Sequence, residues 1–167
     1  MGRPAREYRE FGQRLAQART ARGLSRVDVA RSVGIAPSYY ARIERGMRMV
    51  SLMLFAVLWC RLGFDAGRVL DALSPDAREP SKRASRAPRM RVDLAGHFLG
   101  LDRFLVRARM DAGLTREELA RAVGASRRQI GRMECGHELP SVPRFARLRR
   151  VLGFDANRVI ARLLGRE

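Results

Sequence analysis

The sequence predicts an all-α protein made of two tandem five-helix domains. Three observations carry this expectation. Apolar residues recur at spacings of three and four along the chain, while the alternation expected of strands is weak. Residues 23–46, GLSRVDVARSVGIAPSYYARIERG, return without a gap as GLTREELARAVGASRRQIGRMECG at residues 113–136. The register also holds beyond that block: Leu15, Ala18 and Arg19 pair with Leu105, Ala108 and Arg109, and GFDA recurs at 63–66 and 153–156. A repeat of that length is a whole domain rather than a solenoid unit. A chain of 167 residues accommodates two small domains. The expected division is 1–73, opening with a short basic arm, then a linker at 74–90, then 91–167.

In the first repeat a helix is expected from about Arg6, with Tyr8, Phe11, Leu15 and Ala18 forming one apolar stripe. Gly23 ends it. Ser25 with Asp28 three residues on is a capping box, so a second helix spans about 26–32, with Val29, Ala30 and Val33 on its inner face. Gly34 supplies the left-handed conformation that stops it. Pro37 suits the first position of a third helix over about 37–45, because its missing N–H costs nothing there. Tyr40 and Ile43 face inward along that helix, and Gly46 ends it. Ser51 caps a fourth helix to about residue 61, and Asp65 caps a fifth over about 66–73.

The second repeat follows the same order. Phe98, Leu101, Leu105 and Ala108 lie on its first helix. Thr115 and Glu118 form the capping pair of its second, Gly124 ends that helix, Ser126 caps the third and Asp155 caps the last. In the third helix Ile130 and Met133 point one way, while Arg127, Arg128 and Arg132 lie on the opposite side at about 100° per residue. Each repeat therefore contains two short helices joined by a tight turn, a helix-turn-helix.

The fourth helices differ. Leu52, Phe55, Leu58 and Leu62 match Val142, Phe145, Leu148 and Leu152, which makes those positions core in both. By contrast Met53, Leu54, Val57, Trp59 and Cys60 correspond to Pro143, Arg144, Arg147, Arg149 and Arg150. An apolar outer face on a small domain is expected either as a protein interface, with a second chain or the other repeat, or as a thicker local core closed by the fifth helix.

The net charge is +17, and Lys82 is the only lysine. The positive excess is shared by both repeats and the segment between them, a field suited to a polyanion such as nucleic acid. A coding bias would favour arginine over lysine but would not unbalance it against Asp and Glu. The segment 74–90, SPDAREPSKRASRAPRM, is rich in proline and basic residues and reads as a flexible linker. Its typical span is a little over ~20 Å and its extended reach about 55 Å, enough for half-sites about 34 Å apart on DNA. Cys60 and Cys135 are isolated and suggest no disulfide framework, and the apolar run 50–60 is far too short to span a bilayer. A cytoplasmic, nucleoid-associated protein without membrane contact is expected.

With their flanking helices, both 24-residue blocks quoted above resemble the DNA-binding domain of the Cro/C1-type phage repressors, the xenobiotic response element helix-turn-helix family. The resemblance implies two lambda-repressor-like domains with double-stranded DNA as partner. It places base-reading positions on Ala36, Pro37, Ser38, Ala41 and Arg42 in the first repeat, and on Ser126, Arg127, Arg128, Gly131 and Arg132 in the second. Its phosphate-gripping position falls on Arg26 and Arg116. Its buried ion pair between first and third helices falls on Arg19 with Glu44 and Arg109 with Glu134. Arginine is the natural bidentate partner of guanine, so the second repeat is expected to read more sequence than the first.

The function these features imply is a sequence-specific transcriptional regulator, most simply a repressor that occludes a promoter. Its alternatives are an activator contacting RNA polymerase, an antitoxin or phage-linked adaptor that holds a partner or a second copy through residues 53–60, and a nucleoid-type binder of low specificity. Catalysis is not expected, because no nucleophile and base pairing can be argued. Neither a cofactor nor a metal is expected, since Cys135, His137 and Glu138 lack a second cluster of ligands.

Overall fold

The computed structural model describes residues 6–73 and 100–166, and these divide into two compact units. The linker 74–90, the arm 1–5 and Phe98 lie outside the described residues. Among the described residues every regular element is a helix.

The first unit contains α1 (Arg6–Ala21), α2 (Arg26–Ser32), α3 (Pro37–Glu44), α4 (Leu52–Leu62) and α5 (Ala66–Asp71). Hydrogen bonds fix where the helices begin. The Asp28 N–H donates to Ser25 Oγ at 3.1 Å while the Ser25 N–H donates to Asp28 Oδ2 at 2.9 Å, the reciprocal cap expected for α2. Ser51 caps α4 through the Leu54 N–H and Asp65 caps α5 through the Arg68 N–H. The α2–α3 turn closes on Gly34 at φ 70°, a backbone state that L side chains rarely adopt.

Phe11 and Leu15 of α1 are fully buried, and Tyr8 and Ala18 at the ends of the same stripe are half-buried. Around them the rings of Phe11 and Phe55 lie 5.8 Å apart, and those of Phe55 and Phe64 5.5 Å apart. The helix at the centre is α4, apolar nearly all round. The crossing of α1 over α3 is close: a Cβ on Gly12 would lie 2.5 Å from the backbone oxygens of Ile43 and Glu44. Asp102 holds that position in the second repeat, so this approach cannot be repeated there.

The second unit contains α6 (Leu101–Asp111), α7 (Arg116–Ala122), α8 (Arg127–Glu134), α9 (Val142–Leu152) and α10 (Ala156–Leu163). Thr115 and Glu118 cap α7 reciprocally at 3.2 and 2.8 Å. Ser126, the expected cap of α8, and Gln129 do the same for that helix at 3.2 and 2.9 Å. Leu101, Leu105, Leu119, Ile130, Met133, Val142, Phe145 and Leu148 form the core, and Leu152 is only half-buried.

Candidate nucleic-acid interface

Each third helix is anchored from below by one buried carboxylate. Glu44, on the inner face of α3, takes an arginine on each oxygen. The Arg19 Nε–H of α1 donates to Oε1 at 2.6 Å, and the Arg26 Nε–H at the start of α2 donates to Oε2 at 2.5 Å. Arg19 also donates from Nη1 to the Leu24 carbonyl at 2.7 Å. Three helices and the loop before α2 are therefore tied at one point. The second unit repeats the arrangement: Arg109 to Glu134 Oε1 at 2.6 Å, Arg116 to Oε2 at 2.6 Å, and Arg109 Nη1 to the Leu114 carbonyl at 2.7 Å.

Exposure separates the two arginines of each clamp. The glutamate side chains are 2% and 1% exposed, and Arg19 and Arg109 only 11% and 13%, whereas Arg26 and Arg116 are 53% and 46% exposed. The ion pair expected between first and third helices is present in both units. The second arginine is a revision: Arg26 and Arg116, expected as phosphate grips alone, also belong to the structural clamp. Their Nε holds the glutamate while the half-exposed guanidinium stays at the protein surface beside a helix N-terminus. The reading by sequence spacing missed this link because it treated each helix start separately. The signal lay in the repeat itself, which sets Arg26 against Arg116 and Glu44 against Glu134.

Burial pushes the Glu44 and Glu134 carboxyls up, but the hydrogen bonds and charges of their two arginines outweigh it and hold both below the usual carboxylate range. The stabilisation from a depressed acid is complete above the unfolded-state value, about 4.3 for glutamate, and is lost as pH falls through the folded-state value. The urea midpoint should therefore stay level from neutrality to about pH 5 and drop below about pH 4. The chain carrying Glu44→Gln and Glu134→Gln should show a smaller acid drop. A midpoint that rises on acidification would contradict the clamp.

The outer faces of α3 and α8 are unequal. Pro37 and Ser38 are exposed, and Ala41 and Arg42 half-buried, so α3 presents little hydrogen-bonding capacity. On α8, Arg127 and Arg128 are exposed, while Arg132 donates to Glu138 at 3.0 Å and is 49% exposed. Ser126 is exposed too, but its hydroxyl is engaged in capping α8, and Gly131 is half-buried. Among the described residues no cluster of three or more His, Cys, Asp and Glu is placed to hold a metal ion.

The apolar set on α4 divides. Leu54 is fully buried and Val57 is 8% exposed, so neither is available to a second chain. Met53, Trp59 and Cys60 are half-buried. The matching positions of α9 show how the same sites accommodate charge: Arg144 is 7% exposed, and the Arg147 Nε–H donates to the Val123 carbonyl at the C-terminal end of α7 at 2.9 Å. The position of Leu54 and Arg144 is buried in both repeats, and Arg147 uses its charge on a helix terminus that favours it.

Two small helical units, each holding an exposed third helix on a buried carboxylate, have the layout of a DNA-reading fold. The sequence profile of the helix-turn-helix domain matches residues 10–73 and again residues 101–163. The chain belongs to the helix-turn-helix domain family. No curated protein and no solved structure is significantly similar to it. Family membership supports a DNA-binding regulator. No described helix of this tandem helix-turn-helix protein is long and apolar enough to cross a membrane.

Proposed function

We propose that this helix-turn-helix protein is a sequence-specific, double-stranded-DNA-binding transcriptional repressor of the Cro/C1 type, working in the cytoplasm on the nucleoid. Residues 1–73 and 91–167 act as two unequal heads, and the linker 74–90 lets them dock on neighbouring half-sites. The observation that carries this reading is the clamp built twice. In each unit a buried glutamate fixes the inner face of the third helix, which leaves the outer face as a reading edge, strongly basic on α8 and much less so on α3. Arg26 and Arg116 flank that edge as backbone contacts at helix N-termini, where phosphate binds well. Arg127, Arg128 and Arg132 provide most of the base reading, and Ser38 and Arg42 a smaller share. Promoter occlusion by the two docked heads is the proposed mode of action.

Competition at fixed salt tests the proposal. A labelled natural promoter fragment selected from the source genome should resist scrambled duplex at about a thousandfold excess or more. Equal competition by scrambled and promoter DNA would replace a repressor with a nucleoid-type binder.

A further inference from the structure

The second repeat has a cavity of about 650 Å³ between α6 and α10. Its apolar lining is Phe104, Phe154, Val159 and Leu163, with the rings of Phe104 and Phe154 edge to face at 5.2 Å. Arg103 and Arg107 stand one turn apart on the α6 side, and Arg158 and Arg162 one turn apart on the α10 side, all four exposed. The carboxylates nearby are already engaged. Asp155 accepts the Asn157 and Arg158 N–H groups at 2.7 and 3.3 Å as the cap of α10, and exposed Asp111 pairs with Arg107 at 3.0 Å.

The two repeats differ here as well. Gln13, Gln17 and Ala72 stand where the second repeat has Arg103, Arg107 and Arg162, and Arg14 stands where it has Phe104. In the first unit α1 packs against α5. Three basic residues and the Phe104 ring are thus particular to this site, whereas Phe154 and Arg158 have counterparts in Phe64 and Arg68. Phe104 lies roughly 140° around α6 from Arg109, the residue that clamps the reading helix, so its ring is on a different face of α6.

We propose that this cavity is an effector site for a small amphipathic organic anion, an aryl or acyl carboxylate. The volume lies in the range of about 300 to 1,000 Å³ typical of small-molecule sites. Aromatic and aliphatic side chains would cover the apolar body of such a molecule, and guanidinium forks on the rim match a carboxylate bidentately. With Arg107 paired to Asp111 and Asp155 in the lining, the rim still carries a net positive charge, which disfavours a cationic ligand and leaves a neutral one without an ionic partner.

The probe is 2-naphthoate, with 2-naphthalenemethanol as its neutral counterpart, titrated into the full chain by calorimetry and followed by NMR shifts. Naphthoate should bind saturably at one site, move the signals of Phe104, Phe154, Val159 and Leu163, and bind about tenfold or more tightly than the alcohol. Arg158→Glu with Arg162→Glu, both on the surface, should weaken naphthoate about tenfold while leaving the far-UV spectrum unchanged. Replacing Phe104 by Arg, the residue of the first repeat, should abolish the shifts. The proposal is overturned if naphthoate fails to bind, if the alcohol binds equally, or if the double variant binds normally. It is likewise overturned if an acidic amphipathic peptide binds where naphthoate does not, or if the same signals move with protein concentration alone. These outcomes do not depend on DNA binding.

Discussion

Replacing Glu134 by alanine should destabilise the second unit by about 3 to 5 kcal/mol, the cost of removing one partner from a buried ion pair. Arg109 carries most of that cost. Its side chain is 13% exposed and would be left facing a cavity without its carboxylate, whereas Arg116, at 46%, can turn toward water. The second unit is a small domain whose total stability is of the same order as the loss. Urea unfolding of the full chain, followed by helical circular dichroism, should split into two steps, with part of the helix signal lost early. Glu134→Gln keeps an acceptor and the side-chain volume, so its loss should be smaller, about 1.5 to 3 kcal/mol. A Glu134→Ala chain that unfolds within about 1 kcal/mol of the parent would remove the clamp from the account.

The second large effect concerns sequence reading. Arg128→Ala should cost about 1 to 3 kcal/mol of discrimination between a cognate site and its single-base variants, which is the worth of one bidentate base contact. Arg42→Ala should cost clearly less, because α3 offers Pro37 and Ser38 where α8 offers Arg127 and Arg128. Arg116→Ala should behave differently from both. It should weaken binding to all sequences similarly and lower the salt slope by about one, as a phosphate contact does. Equal losses of discrimination for Arg128→Ala and Arg42→Ala would show that the two heads read alike.

Much of this arrangement was legible in the sequence. Helix starts were, because Ser25 with Asp28 and Thr115 with Glu118 satisfy orphan N–H groups by chemistry that acts within four residues. The stops at Gly34 and Gly124 were legible for the same reason. The pairs Arg19 with Glu44 and Arg109 with Glu134 are long-range contacts and came from the family resemblance, not from spacing. Where the reading fell short, the cause lay in tertiary packing. Leu54 and Val57 were open to two readings, an interface or a thicker local core, and local spacing could not choose between them. A helix enclosed by its neighbours is buried nearly all round, and its hydrophobicity then carries no information about partners. Arg147, at the position of Val57, donates to the Val123 carbonyl at the end of α7, a contact that spacing does not show. The engagement of Arg132 by Glu138 and the cavity between α6 and α10 depend on how a loop and two helices meet, which no local pattern records.

The most direct test of two heads acting together is hydroxyl-radical footprinting of the full chain on a selected site, at a concentration where one chain binds per duplex. Two protected stretches should appear about one helical turn apart. The stretch that weakens with Arg128→Ala should be distinct from the one that weakens with Arg42→Ala. A single protected stretch that responds to only one of these substitutions would contradict the claim that both third helices enter one duplex.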